Sequence, residues 1–237
     1  MQITTENKQI TCTEADIYNS VLDLDNSHIL DLGCGAGHYM LEMALSGSGR
    51  SIVGLEVDEI QHQKNLDKEW PDNISFGLGG AQNIPADDET FDVVMMFKSL
   101  HHVPTGLLGV ALSEVQRVLK PGGFAYISEP VSDGEFNNLL KLFHDEEGVR
   151  AAAFNAVKTA VDAGDFTLLN QVFFNTYGHY ANFAEFEEHV INVSFMDHQL
   201  SPALYAKIRE QFQGFMQEDG AHFLSLNRID LLQKNER

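Results

Sequence analysis

Apolar residues in the first 130 positions form two alternating patterns. Short continuous apolar runs, typical of strands buried on both faces of a parallel sheet, predict strands over residues 29–32, 51–56, 73–78, 91–97 and 124–129. Helically spaced apolar residues between these runs predict helices that begin near positions 13, 38, 58 and 106. Strands that alternate with helices form parallel sheets with right-handed crossovers. We therefore expect an α/β fold, with a Rossmann-like, mostly parallel seven-stranded sheet and helices on both faces.

The pattern changes after Pro130. Residues 132–190 contain helical spacings such as Phe136, Leu139, Leu140 and Phe143, and no clear buried strand. This segment is predicted to be a helical insertion after the fifth strand that closes over a substrate. A short sixth strand over 191–195, a helix from Ser201 and a final strand over 222–232 follow. The predicted core therefore comprises residues 1–131 and 191–237, and the predicted lid comprises 132–190.

Charge and composition limit the classes of partner. The formal net charge is −20 and the pI is about 4.6, which argues against nucleic acid or an anionic membrane as a partner. A small-molecule substrate is expected. No apolar run reaches the length of a membrane span and the N-terminus is polar, so we expect a cytoplasmic protein. Cys12 and Cys34 have no metal-ligand spacing, so no metal is expected. Nothing in the sequence indicates the oligomeric state.

A glycine-rich turn follows the first predicted strand. Gly33, Gly35 and Gly37 separate Asp31 from a helix that begins at His38. Glycines allow positive φ angles and close approach of a ligand, and a helix N-terminus offers free N–H groups. The residue Glu56 ends the second strand about 20 residues later, where α/β nucleotide sites place a carboxylate on the ribose. These features predict a nucleotide-binding corner.

The spacing narrows the choice of nucleotide. A dinucleotide fingerprint would have glycine where His38 stands. Asp31 followed by Gly33-x-Gly35-x-Gly37 instead resembles motif I of the class I S-adenosylmethionine-dependent methyltransferases. Further blocks match in the same order at residues 53–56, 79–85, 91–94, 100–103 and 118–123. The similarity covers residues 28–130, and it is closest to small-molecule methyltransferases that include quinone-biosynthesis enzymes.

The resemblance implies S-adenosyl-L-methionine as the cofactor. It assigns cofactor contacts to Asp31, Gly33, Cys34, Gly35, Gly37, Glu56, Val57, Gly80, Ala81, Gln82 and Lys98. Asp31, the Gly33 backbone and the Lys98 carbonyl would contact the methionine end of the cofactor. Glu56 would hold the ribose hydroxyls. Val57 would pack against the adenine.

The implied adenine contact departs from the family pattern at one position. Ala81 and Gln82 would frame the adenine edge, but the preceding residue is Gly80, where the family commonly has Asp. Either Gln82 or a backbone group then replaces the contact to the adenine amino group. A lost hydrogen bond of this kind would cost on the order of 1–2 kcal/mol.

Two histidines follow the fourth strand, where α/β sheets place their chemistry. His101 and His102 are candidates for a general base or a substrate contact, and His102 is preferred. Proton removal is required when the methyl acceptor is a hydroxyl or a carbon acid.

Other side chains are candidates for covering the substrate. The candidate lid residues are Tyr18, Tyr177, His179 and Tyr180. His144 lies beside the acidic residues 145–147, which are interpreted as a solvated helix face rather than a metal site.

Two other function classes remain open at the level of sequence. The first is a non-catalytic module that binds S-adenosylmethionine or S-adenosylhomocysteine as a sensor or a partner subunit. The second is a nucleotide-dependent oxidoreductase, which is less favoured because His38 stands where the dinucleotide fingerprint has glycine.

Overall fold

The computed structural model describes residues 1–192 and 200–235. Its helices are α1 (Glu14–Val21), α2 (His38–Leu45), α3 (Glu59–Leu66), α4 (Leu108–Val118), α5 (Glu135–Leu140), α6 (Glu147–Asp162), α7 (Phe183–Phe186) and α8 (Pro202–Gln213). Its strands are β1 (His28–Leu32), β2 (Ser51–Glu56), β3 (Ile74–Leu78), β4 (Phe91–Phe97), β5 (Leu119–Pro130), β6 (Phe166–Tyr180), β7 (Met216–Gln217) and β8 (Gly220–Lys234). Short 3-10 turns at Leu100–His102 and Thr105–Leu107 follow β4, and a π-helical turn at Glu187–Ile191 follows α7.

The strands form one mixed sheet in the order β3-β2-β1-β4-β5-β8-β6, and the two-residue β7 pairs with β8. The first five strands along this order are parallel, whereas β8 is antiparallel to both β5 and β6. The Rossmann-like, mostly parallel sheet expected from the hydrophobic pattern is therefore confirmed. The carboxyl ends of the parallel strands meet at one edge, which brings Asp31, Glu56 and the residues after Phe97 to the same side of the sheet.

Residues 132–190 are not entirely helical, and this corrects the sequence interpretation. They contain α5, α6 and α7, but also the fifteen-residue strand β6. β6 lies at the end of the sheet order and only partly buries its side chains, so it keeps polar residues such as Asn170, Gln171 and Asn175. An edge strand of this kind lacks the continuous apolar run by which the other strands were predicted.

The predicted sixth strand over 191–195 falls partly outside the described residues. Ile191 lies in the π-helical turn, and positions 193–195 are not described.

Helices cover both faces of the sheet. Consecutive residues of β1 point to opposite faces, so Leu30 packs in the cluster beneath α4 and α6, whereas Ile29 packs in the cluster beneath α1 and α2. Val115 of α4 and Met40 of α2 are fully buried in these two clusters. The two clusters fix the position of the carboxyl edge.

The strands β6 and β8 extend past the end of β5 as a two-stranded ribbon. Pro130, the last residue of β5, pairs with Asn227, but β6 and β8 remain paired as far as Tyr180 and Ala221. We call residues 175–180 and 220–226 the arm. The arm carries a third apolar cluster with α5, α7 and α8, composed of Leu139, Phe183, Phe186, Ile191, Ile208, Phe212, Ala221 and Phe223. We call this cluster the lobe core.

Within the described part of the chain, no helix combines the length and apolar character needed to cross a membrane.

Candidate active site

The turn between β1 and α2 holds its three glycines in left-handed backbone conformations. The φ angles of Gly33, Gly35 and Gly37 are +74°, +52° and +75°, a region that residues with a Cβ rarely adopt. A Cβ at Gly33 would lie 2.7 Å from the Cβ of Ser99, and one at Gly37 would lie 2.7 Å from Cη2 of Trp70. A Cβ at Gly35 would meet no atom within 4 Å. Packing therefore requires two of the glycines, and the third leaves open space for a ligand.

The backbone N–H groups at the start of this turn are already used. Gly33 and Cys34 both donate to the carbonyl of Leu55, at 2.8 and 3.1 Å. Gly33 can therefore contact a ligand only through its carbonyl oxygen. Burial raises the pKa of the Cys34 thiol, and the negative charges of Asp31 and Glu56 raise it further. Cys34 is consequently held as a neutral packing residue.

Glu56 links the end of β2 to the glycine turn. One carboxylate oxygen accepts from the N–H of Gly35 at 2.8 Å, and the other accepts from Val57 at 2.8 Å and Asp58 at 3.0 Å. An ionised carboxylate offers about four lone-pair positions. One position is therefore free for a ligand hydroxyl, and a second hydroxyl would displace one of the backbone contacts.

Asp31 is buried beside this link, and its Oδ1 atom has no hydrogen-bond partner among the described residues. Burial raises the pKa of Asp31 to about 7, and the negative charge of Glu56 adds to this effect. An unpartnered buried carboxylate oxygen is costly, and a cationic ligand group would remove that cost.

Val57, Gly80 and Gln82 lie next to one another after the ends of β2 and β3. The side chain of Val57 is 64% exposed although it is apolar. A Cβ at Gly80 would lie 2.8 Å from Oε1 of Gln82 and 3.1 Å from Cγ1 of Val57. The amide of Gln82 therefore occupies the space where a side chain at position 80 would begin. Ala81 between them is buried.

The end of β4 has an unusual backbone conformation. Lys98 has a φ of +54°, which is uncommon for a residue other than glycine and often marks a functional site. Its N–H donates to the carbonyl of Ser128 at 2.7 Å, and the hydroxyl of Ser99 donates to the carbonyl of Leu32 at 2.6 Å. These two bonds fix the position of the turn that carries the histidines.

Helix α1 packs against the face of the sheet that carries Phe97 and Tyr126. Glu14 is buried, and one of its oxygens accepts from the hydroxyl of Tyr126 at 2.6 Å. Burial raises the pKa of Glu14. Tyr18 is fully buried and packs edge-on against Phe97 and Tyr126. Two buried oxygens without a hydrogen-bond partner among the described residues lie on α1 and β1: Tyr18 Oη and Asp31 Oδ1.

His101 is enclosed between two carboxylates. Its Nδ1 atom hydrogen bonds to Glu129, which also accepts from the N–H of Leu100 at 3.0 Å, and its Nε2 atom lies 3.6 Å from Glu146. Burial of the ring opposes protonation, but the hydrogen bonds and charges of Glu129 and Glu146 outweigh it and raise the pKa of His101 to about 9. His101 is therefore a cation at neutral pH.

Glu146 connects this histidine to the start of α6. It lies 2.8 Å from Nε2 of His144, and Arg150 donates to its other oxygen at 2.5 Å. Although burial opposes ionisation, the contacts to His101, His144 and Arg150 hold the pKa of Glu146 well below its usual range. The interpretation of residues 145–147 as a solvated face is wrong for Glu146, whose side chain is only 11% exposed.

His102 differs from its neighbour in exposure and in charge. Its side chain is exposed, and its ring lies 4.1 Å from the ring of His101. Desolvation on its packed side lowers the pKa of His102, and the positive charge of His101 lowers it further. The two adjacent histidines are therefore in opposite protonation states at neutral pH.

The predicted lid residues lie on different elements. Tyr18 lies on α1. Tyr177, His179 and Tyr180 lie on the arm, where Tyr180 packs against the lobe core, whereas Tyr177 and His179 are exposed.

Three acidic residues of the site were not among the residues predicted from sequence: Glu14, Glu129 and Glu146. Glu129 had a usable signal, since it lies near the end of a strand as Asp31 and Glu56 do. Glu14 had the general signal of an acidic first helical turn, which predicts a cap and not a buried contact. Glu146 had none, because its contacts come from residues far apart in the chain.

Residues 29–123 match a family model described as a methyltransferase domain. The chain is 34% identical over 103 residues to the demethylmenaquinone methyltransferase of Lactiplantibacillus plantarum, which is 41% of this chain and 42% of that protein. It is 32% identical over 115 residues to the sterol 4-C-methyltransferase of Caenorhabditis elegans, which is 48% of this chain and 34% of that protein. The chain thus spans well under half the length of these relatives.

The fold is similar to that of solved structures over nearly the whole chain. The YcgJ protein of Bacillus subtilis matches with a TM-score of 0.63 at 18% identity, over 94% of this chain and 97% of that one. At this identity the likeness concerns the fold alone. The methyltransferase match covers the segment that contains the glycine turn, Glu56 and the paired histidines. The matched segment is therefore similar to methyltransferase domains, in agreement with the resemblance carried by its glycine turn and the later sequence blocks.

Proposed function

We propose that this protein transfers the methyl group of S-adenosylmethionine to a small-molecule acceptor. The observation that carries the proposal is the cradle formed by the glycine turn, the Glu56 carboxylate bonded to it, and the unpartnered oxygen of Asp31. When bound, the cofactor supplies a methyl group on a sulfonium, with a thioether as the leaving group. The protein then has to hold that group, align the acceptor and remove the acceptor's proton where it has one.

The residues at the carboxyl end of β1 fit the methionine end of the cofactor. The orphaned oxygen of Asp31 would accept from the methionine ammonium, and the positive charge would favour the ionised form of Asp31. The carbonyl of Gly33 would supply a second acceptor, because its N–H is already bonded to Leu55. Lys98 would contribute its backbone carbonyl from the end of β4.

Glu56 and Gln82 fit the nucleoside end. The free lone-pair position of Glu56 would accept one ribose hydroxyl, and a second would compete with the N–H groups of Val57 or Asp58. The exposed side chain of Val57 offers a flat apolar contact for adenine. The amide of Gln82 lies over Gly80 and would contact the adenine edge, where the family commonly has a carboxylate.

The acceptor would bind at the turn after β4. His102 is exposed and, with its lowered pKa, neutral at pH 7, so it can take a proton from an acceptor hydroxyl or carbon acid as the new bond to the methyl carbon forms. His101 is held as a cation between Glu129 and Glu146 and would position the turn. Helix α1 with Tyr18, and residues 132–190 with Tyr177, His179 and Tyr180, would cover the site.

The test begins with binding and then measures transfer. Calorimetry should detect S-adenosylmethionine and S-adenosylhomocysteine, and a nicotinamide dinucleotide should not bind. Incubation with labelled S-adenosylmethionine and fractionated metabolites should then label one small-molecule fraction. Turnover should fall as the pH drops through the lowered pKa of His102, and a His102→Ala variant should lose turnover while it keeps cofactor affinity.

Each contrary result has a distinct meaning. Binding of cofactor without label transfer to any fraction would favour the non-catalytic module. Preferential binding of a dinucleotide would favour the oxidoreductase. Label in a nucleic acid fraction would contradict the small-molecule acceptor.

A further inference from the structure

Two histidines and an aspartate converge on the outer face of the arm. His179 of β6 and His222 of β8 are directly opposite each other in the antiparallel register. Asp219 lies in the turn that connects β7 to β8. These residues share none of their contacts with the His101 group at the end of β4, so they form a separate cluster.

The polar atoms of the cluster are close enough to share one ion. One imidazole nitrogen from each histidine and a carboxylate oxygen of Asp219 all lie within 4.8 Å of one another. Nε2 of His222 is 2.8 Å from the carboxylate of Asp219, and Nε2 of His179 is 2.8 Å from the carbonyl of the same residue. Both rings therefore direct the same nitrogen toward Asp219.

The surroundings hold the ring of His222 in this orientation and leave room for the ring of His179. The hydroxyl of Tyr177 hydrogen bonds to Nδ1 of His222, the nitrogen that faces away from the cluster. Metal-binding histidines are held through their second ring nitrogen in this way. Gly220 has a φ of +130°, and a Cβ there would lie 2.6 Å from Nε2 of His179. The glycine leaves room for the ring beside the turn.

We propose that His179, Asp219 and His222 bind a zinc ion, with water as the fourth ligand. Two imidazole nitrogens and one carboxylate oxygen form a donor set typical of tetrahedral zinc, with distances of about 2.0–2.2 Å. One carboxylate and two neutral imidazoles leave a bound Zn²⁺ with a local charge of +1, which the net charge of −20 favours. The ion would join β6, β8 and the preceding turn at the end of the arm.

The test uses the whole 237-residue chain after removal of metal with a chelator. Titration of zinc against a chromophoric competitor should show one equivalent bound. In NMR spectra recorded during the titration, the imidazole signals of His179 and His222 should shift. Tyr177→Phe keeps the ring but removes the bond to His222, and it should weaken zinc binding about tenfold. His222→Ala removes a ligand and should weaken binding further.

His189→Ala is the matched control, because His189 is an exposed histidine outside the group. Its zinc affinity should stay within about twofold of the wild type. The proposal is overturned if His222→Ala binds zinc with the same stoichiometry and affinity as the wild type. It is also overturned if the first equivalent shifts the signals of His101 and His102 but leaves those of His179 and His222 unchanged.

Discussion

Three acidic residues near the carboxyl ends of parallel strands lie in three different environments. Asp31 on β1 keeps an unpartnered oxygen, Glu56 on β2 binds three backbone N–H groups, and Glu129 on β5 binds a histidine. Their position in the fold is the same, but their chemistry differs because each faces a different loop. At this scale the site is a set of carboxylates, of which one is left to receive a cation.

The contribution of Glu56 can be measured directly. In Glu56→Ala the ribose would lose its proposed acceptor, and the N–H of Gly35 would lose its bond to the Glu56 carboxylate. Hydrogen bonds to a charged group contribute about 1.5–3 kcal/mol, so affinity for S-adenosylmethionine should fall about tenfold or more by calorimetry. Glu59→Ala, an exposed carboxylate in the first turn of α3, is the control and should bind normally. Unchanged affinity in Glu56→Ala would remove Glu56 from the ribose site.

The raised pKa of His101 predicts a pH dependence of stability. The folded protein keeps this proton up to a pKa of about 9, whereas the unfolded chain releases it near 6.5. Between these values the folded state binds more protons, so the free energy of unfolding falls as the pH rises. The contribution is fully present below about pH 6.5 and is lost by about pH 9, with a total on the order of 3 kcal/mol.

The His101 prediction is checked by urea unfolding of wild type and His101→Gln across that range. The difference in unfolding free energy between the two proteins should shrink as the pH rises. Parallel curves would mean that His101 is not charged in the folded protein.

The sequence was informative about the residues that follow a local rule and silent about those that do not. Asp31, Glu56 and the paired histidines were proposed as site residues because their positions relative to the strands carry the signal. Glu146 was misread as solvated, since local sequence cannot reveal that His101 lies opposite it. The choice between His101 and His102 also depended on tertiary contacts, because only the fold brings Glu129 to one of the two rings.

At the scale of elements, burial decided which strands could be recognised. β1 and β4 are buried on both faces and appear as continuous apolar runs. β6 has a neighbour on one side only and is half-exposed, and its register shifts between Leu168 and Asn170, so neither an apolar run nor a strict alternation marks it. The helices of 135–162 were predicted because one face of each packs against a core.

The glycine at the start of α2 offers a test of the turn. Gly37→Ala introduces a Cβ at a φ of +75° and within 2.7 Å of Trp70. Strain of this backbone type costs about 1–3 kcal/mol, so the free energy of unfolding should fall by at least about 1 kcal/mol. Gly106→Ala is the control, because a Cβ there meets no atom within 4 Å, and its stability should be unchanged or slightly higher. Equal effects of the two substitutions in urea unfolding would show that the Gly37 turn is not strained.

At the scale of the whole molecule, the described residues form a sheet with two apolar clusters and a lobe core that packs on the arm. The sheet with its two apolar clusters carries the glycine turn, Glu56 and the histidines, and residues 29–123 within it match the model of a methyltransferase domain. The lobe core is built from segments on both sides of β6 and packs on the arm, outside the matched segment. The part proposed to hold the cofactor is thus the part shared with relatives, and we expect the lobe to contribute to the choice of acceptor.

This division predicts that the lobe can loosen while the sheet stays folded. Phe212 is fully buried in the lobe core, and its replacement by alanine should cost about 3–5 kcal/mol of packing. Because the lobe core is separate from the two sheet clusters, hydrogen exchange should accelerate in α8 and in residues 220–226 and stay slow in β1 and β4. Affinity for S-adenosylmethionine should be retained, and methyl transfer should fall because the acceptor loses its cover.

Leu224→Ala is the control for Phe212→Ala. Leu224 lies on the same arm but is 47% exposed, so its truncation creates no buried cavity and should leave exchange in α8 unchanged. Faster exchange in β1 and β4 of Phe212→Ala would show that the lobe and the sheet unfold as one unit. In that case the lobe would be a structural part of the cofactor domain, and loss of turnover in the variant could not be assigned to acceptor binding.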